Sequence, residues 1–99
     1  MQEKKLNRLN EQEIYVAAID TFGRDSQMRM VIEECAELIK DINKVFRNKL
    51  VIDDLAKEVA DVQIMINQLK IIINNDEKID KIKKEKLERL EKLIEAGHD

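Results

Sequence analysis

The chain has 99 residues and a formal net charge of −3, from 18 basic and 21 acidic side chains. It therefore fits one domain, residues 1–99, with no strong field to draw in a nucleic-acid backbone. Proline is absent, only Gly23 and Gly97 punctuate the sequence, and Tyr15, Phe22 and Phe46 are its aromatic residues, which excludes a strand-rich fold with its many turns and a base-stacking platform. Cys35 has no second cysteine to pair with, and Met1-Gln2-Glu3-Lys4-Lys5 leads into no apolar signal core. The longest apolar runs, Ile64-Met65-Ile66 and Ile71-Ile72-Ile73, fall far short of the roughly 20 residues of a membrane span. The expectation is a cytoplasmic protein with no membrane or nucleic-acid partner.

Four helices are predicted in chain order. The first runs from an Asn10 N-cap, with Glu13 three residues on, to Phe22, and Gly23 suits the position after its end. The second starts after Asp25 or Ser26 and reaches about Arg47, with Val31, Cys35, Leu38, Ile42 and Val45 forming one apolar stripe. Asn48 to Ile52 reads as a connector, and Asp53 or Asp54 as the cap of a third helix carrying Leu55, Val59, Val62, Ile66, Leu69 and Ile73. Asn74, Asn75 and Asp76 stop it. The fourth, about Glu77 to Ala96, places Ile79, Ile82, Leu87, Leu90 and Ile94 among lysines and glutamates, and Gly97 ends it.

The stripes of the second and third helices superimpose at an offset of 24 residues, and so do their acids, with Glu34 falling on Glu58 and Glu37 on Asp61. Two similar helices in an antiparallel hairpin follow, within an all-α four-helix bundle. Residues three apart project from one helix face, so each acidic pair is a potential chelator. Four carboxylates at a helix seam repel one another and lose hydration, a conflict that a cation resolves. All-oxygen ligation suits Mg²⁺, with Mn²⁺ as a second choice, and one Cys and a near-terminal His98 rule out a zinc-type site. Lys40, Lys44 and Arg47, three, seven and ten residues after Glu37, lie on or beside its face, where phosphates would take them as partners. Asn43 and Asn67 coincide at the same offset and stay open between solvent and substrate. Cys35 reads as a structural thiol, and His98 receives no role.

Glu33-Glu34-Cys35-Ala36-Glu37-Leu38 followed by Glu58-Val59-Ala60-Asp61-Val62 resembles the EExxE…ExxD signature of the MazG-like all-α nucleoside triphosphate pyrophosphohydrolases. The resemblance spans about Gly23 to Leu69, with Gln27 at a familiar spacing, and extends more weakly to Lys86 and Arg89. It implies that Glu34, Glu37, Glu58 and Asp61 hold Mg²⁺, that Glu33 assists as a supporting group or as a base for water, and that a nucleoside or deoxynucleoside triphosphate is cleaved to the monophosphate and pyrophosphate. The aromatic base pocket of some relatives that act on pyrimidine nucleotides is missing, so the base stays open. A phosphoribosyl-ATP pyrophosphatase is the alternative within the same superfamily, and a non-catalytic helical interaction module is the alternative outside it. A di-iron bundle is disfavoured because no histidine lies within a helix. Ile64, Met65, Ile71 and Ile72, apolar away from the main stripe of the third helix, point to a homodimer or homotetramer.

Overall fold

The computed structural model describes residues 9–49 and 51–97, which form α1 (Glu11–Phe22), α2 (Arg24–Phe46), α3 (Ile52–Ile73) and α4 (Asp76–Gly97), with no strand among them. Leu50 of the connector, His98 and the residues before Leu9 lie outside the described residues. Asn10 builds the expected capping box: its Oδ1 accepts from the Glu13 N–H at 2.8 Å, and its own N–H donates to Glu13 Oε1 at 2.9 Å. Gly23 alone joins α1 to α2, so α2 begins at Arg24, two to three residues earlier than the expected start after Asp25 or Ser26. Its φ of 96° and ψ of 148° fall in a region that is essentially closed to side chains, which explains a glycine here.

α2 ends in a Schellman motif. Asn48 takes the left-handed conformation (φ 57°), its N–H donates to Val45 O at 2.9 Å, and the Lys49 N–H donates to Lys44 O at 2.9 Å. α3 is capped differently from its expectation. Val51 is the N-cap and makes no side-chain bond, while Asp53 and Asp54 sit inside the first turn, where their charge complements the helix dipole. Left-handed Asn74 (φ 55°) stops α3, and Asn75 Oδ1 accepts from the Lys78 N–H at 3.1 Å to start α4.

α2 and α3 pack as the antiparallel hairpin, and α1 lies against both. The seam is more polar than the apolar stripes suggest. Buried residues are Tyr15, Val31 and Met65 together with Gln27 and Gln68, and Gln27 Nε2 donates to Gln68 Oε1 at 2.8 Å. Met65, which lies off the predicted main stripe, is only 6% exposed. Conversely Val59, Ile66 and Ile73 of the predicted stripe are 39–52% exposed. The inner face of α3 is thus rotated toward Glu58, Val62, Met65, Gln68 and Ile72, because the polar residues claim places in the seam.

The all-α, hairpin-based expectation is met, but α4 does not close a bundle within the chain. None of its residues is buried, and it packs along none of the other helices. The radius of gyration is accordingly 17.8 Å, against about 13 Å for a compact domain of this length.

Candidate metal centre

The pairing that sets Gln27 opposite Gln68 also brings the first acidic helix face level with the second. Continuing along two antiparallel helices in that register, position 34 meets 61 and position 37 meets 58. Carboxylate oxygens of Glu34, Glu58 and Asp61 lie within 4.8 Å of one another, as do those of Glu37, Asp41 and Glu58. The four carboxylates singled out in the sequence therefore converge on one seam, with Glu58 common to both groups. Asp41 joins them unannounced. It lies four residues after Glu37, on the same face, but the 24-residue repeat places Met65 at its counterpart, so the repeat gave no hint of it. Glu33 is exposed on α2 and belongs to neither group.

Glu58 is half-buried as a residue, yet its Oε2 is closed off from solvent with no hydrogen-bond partner. An orphaned buried carboxylate oxygen is costly. The response is a carboxyl pKa pushed up to about 7 from 4.5, by burial first, then by hydrogen bonding and charge from Glu34, then by the charges of Asp61 and Asp41. Among the described residues the ion pair is Lys57 with Asp54, 3.9 Å apart at the exposed surface, and it does not involve Glu58. An arrangement of oxygen donors only, over-rich in negative charge and with one lone pair unused, fits a hard divalent cation.

Of the expected phosphate partners, Lys40 is exposed, Lys44 half-buried and Arg47 exposed at the α2 C-cap. Helical spacing aligns all three with Glu37 toward the connector end of the hairpin. Lys86 and Arg89 are exposed on α4, and since α4 does not pack against the hairpin, a single chain does not bring them to the carboxylates. Asn67, left open by the sequence, donates from Nδ2 to the Tyr15 hydroxyl at 3.2 Å, and that hydroxyl donates to the Glu11 carboxylate. The bond to Glu11 is the main reason the Tyr15 pKa lies above its usual value. Asn43 faces solvent, and Cys35 is free and half-buried in the seam.

Comparison with protein-family models, with curated proteins and with solved structures finds no match.

Proposed function

We propose that this chain is a Mg²⁺-dependent nucleoside triphosphate pyrophosphohydrolase of the MazG-like kind, hydrolysing a nucleoside or deoxynucleoside triphosphate to the monophosphate and pyrophosphate. The observation that carries this reading is the orphaned, proton-retaining Glu58 at the meeting point of two carboxylate groups. A purely structural seam gains nothing from that arrangement, whereas a cation site needs it.

Glu34, Glu58 and Asp61 form one ligand group and Glu37, Asp41 and Glu58 the other, so Mg²⁺, or Mn²⁺ in its place, is held between two helices. When bound, the cation neutralises triphosphate charge and activates water. Glu58 must release its proton to serve as a ligand, so loading couples to proton release near neutral pH. Glu33, exposed beside Glu34, accepts a proton from the attacking water. Lys40, Lys44 and Arg47 hold the phosphates along α2 and orient the anhydride toward the carboxylates.

The chain works as a homo-oligomer in this reading. Ile32 and Ile39 on α2 are 69% and 62% exposed, and Phe46 is 81% exposed, which is the surface of a subunit. The same surface favours the second reading, a non-catalytic helical interaction module, which leaves the paired carboxylates without a use. Pyrophosphate release from a panel of NTPs, dNTPs and phosphoribosyl-ATP, each with Mg²⁺, Mn²⁺ or EDTA, decides between them. Metal-dependent release from a nucleoside triphosphate supports the proposal, release from phosphoribosyl-ATP alone transfers it to that substrate, and no release from any compound refutes it.

A further inference from the structure

We infer that the seam holds two divalent cations at once, with Glu58 shared between them and Asp41 completing the second position. The inference rests on the reading of the seam as a cation site, and adds to it a second ion and a ligand that lies outside the EExxE…ExxD pattern. Five carboxylates meet at the seam, and they fall into two groups joined at Glu58, not into one group of five. Glu34 and Asp61 belong to the group nearer the open end of the hairpin, Glu37 and Asp41 to the group nearer the connector. Around a six-coordinate Mg²⁺, with bonds of about 2.1 Å, no two ligand oxygens stand more than about 4.2 Å apart. One ion in either group therefore leaves two carboxylates of the other without a cation.

Asp41 makes the second position complete. It is half-buried on α2, one turn beyond Glu37, and no ion pair among the described residues involves it. Lys57, the lysine next to Glu58 in sequence, is paired with Asp54 instead. An acid on a solvated face stands among water and lysines, whereas an oxygen of Asp41 stands within 4.8 Å of oxygens of two other carboxylates, Glu37 and Glu58. That placement adds repulsion to a seam already short of cations unless an ion sits there too.

Glu58 has the capacity to serve both ions. A carboxylate carries two oxygens with about four lone-pair sites, and Glu58 Oε2 is closed off from solvent with no hydrogen-bond partner. Charge points the same way. With all five carboxylates ionised, one divalent cation leaves three negative charges in the seam and two leave one. A triphosphate, itself a polyanion, meets far less repulsion in the second case.

The test counts Mn²⁺ bound to the full chain without nucleotide, by calorimetry and by electron paramagnetic resonance, so that turnover plays no part in the readout. Two ions per chain are expected, with the spin coupling of a pair that shares a ligand. Asp41→Asn and Asp61→Asn, each checked for the helical circular dichroism of the wild type, are expected to hold one uncoupled ion at the Mn²⁺ concentration that loads two in the wild type, the other ion being weakened at least tenfold. One ion per wild-type chain, two uncoupled ions, or a coupled pair persisting in either variant overturns the inference and leaves the hydrolase reading standing, since pyrophosphate release judges it separately. Loss of both ions in Asp41→Asn would merge the two groups into one site and overturns the inference as well. No bound ion at millimolar Mn²⁺ in the wild type overturns the inference and the cation reading of the seam together.

Discussion

Glu58→Gln keeps the size of the side chain and removes the charge that the seam disfavours. In metal-free buffer the wild-type chain retains a proton on Glu58 up to about pH 7, against 4.5 for an ordinary glutamate. A raised carboxyl pKa means that the protonated form suits the fold, so its stabilising contribution is complete below pH 4.5 and is lost as pH rises through about 7. At about 1.4 kcal/mol per pH unit, the ceiling on that loss is about 3 kcal/mol. Because Glu58 is half-buried and Asp61 is exposed, solvent screening reduces the expectation to about 1–2 kcal/mol. Glu58→Gln should thus melt about 5–10 °C higher than wild type at pH 8 in EDTA. At pH 4, where Glu58 is protonated in both states, the two should coincide. Millimolar Mg²⁺ should reverse the order, because occupancy at a hundred times Kd adds about 2.7 kcal/mol to the protein that binds the ion. The assay is thermal melting by circular dichroism at fixed protein concentration, with and without Mg²⁺, alongside pyrophosphate release, which should fall by orders of magnitude in the variant. If Glu58→Gln is no more stable than wild type at pH 8 in EDTA and responds equally to Mg²⁺, the carboxylate-seam argument fails. Turnover at the wild-type rate would refute the catalytic role even if the stability pattern held.

Asp41→Asn should weaken Mg²⁺ binding at least tenfold by calorimetry while leaving the helices intact, since Asp41 shares a ligand group with Glu37 and Glu58; unchanged affinity would confine the site to Glu34, Glu58 and Asp61. Lys44→Ala and Arg47→Ala should raise KM or lower kcat without lowering Tm by more than a few degrees, and kinetics identical to wild type in both would return these side chains to solvent. Gln27→Leu should cost about 1–3 kcal/mol in urea denaturation because it strands buried Gln68, and Gln27→Leu with Gln68→Leu should recover part of that loss. A double variant as unstable as the sum of the singles would remove the hydrogen bond from the account.

Helix positions followed from local chemistry, which depends on a few neighbours. The capping box at Asn10, the break at Gly23 and the stop at Asn74 were each readable because one residue type does that backbone task far better than others. The convergence of Glu34, Glu37, Glu58 and Asp61 was readable from a repeat. Three things were not. The rotation of α3 that buries Met65 and exposes Val59 reverses the assumption that apolar residues always win the seam, and only Gln27, Gln68 and the carboxylates, taken together, would have argued for it. Asp41 breaks the repeat that revealed the others. The independence of α4 could not be seen either, because an amphipathic stripe reports that a helix has a partner and carries no information about which chain supplies it.

The Gln27–Gln68 bond gives the hairpin a property that apolar packing does not. Valine, leucine and methionine contacts tolerate a slide of one helix along the other by a turn, about 5.4 Å, with modest change in energy, because one methyl group resembles the next. Two amides tolerate no such slide: each would be left dry and unpaired. The bond therefore works as a pin near the open end of the hairpin, and the acidic groups, about two to four turns further toward the connector, inherit their alignment from it. Sequence drift can exchange apolar residues throughout the seam at little functional cost, yet replacing both glutamines with leucines would keep the helices paired while freeing their register. Such a lineage would lose the meeting of Glu58 with Glu34 and Glu37 before it lost the hairpin, so the loss of chemistry would precede any loss of fold.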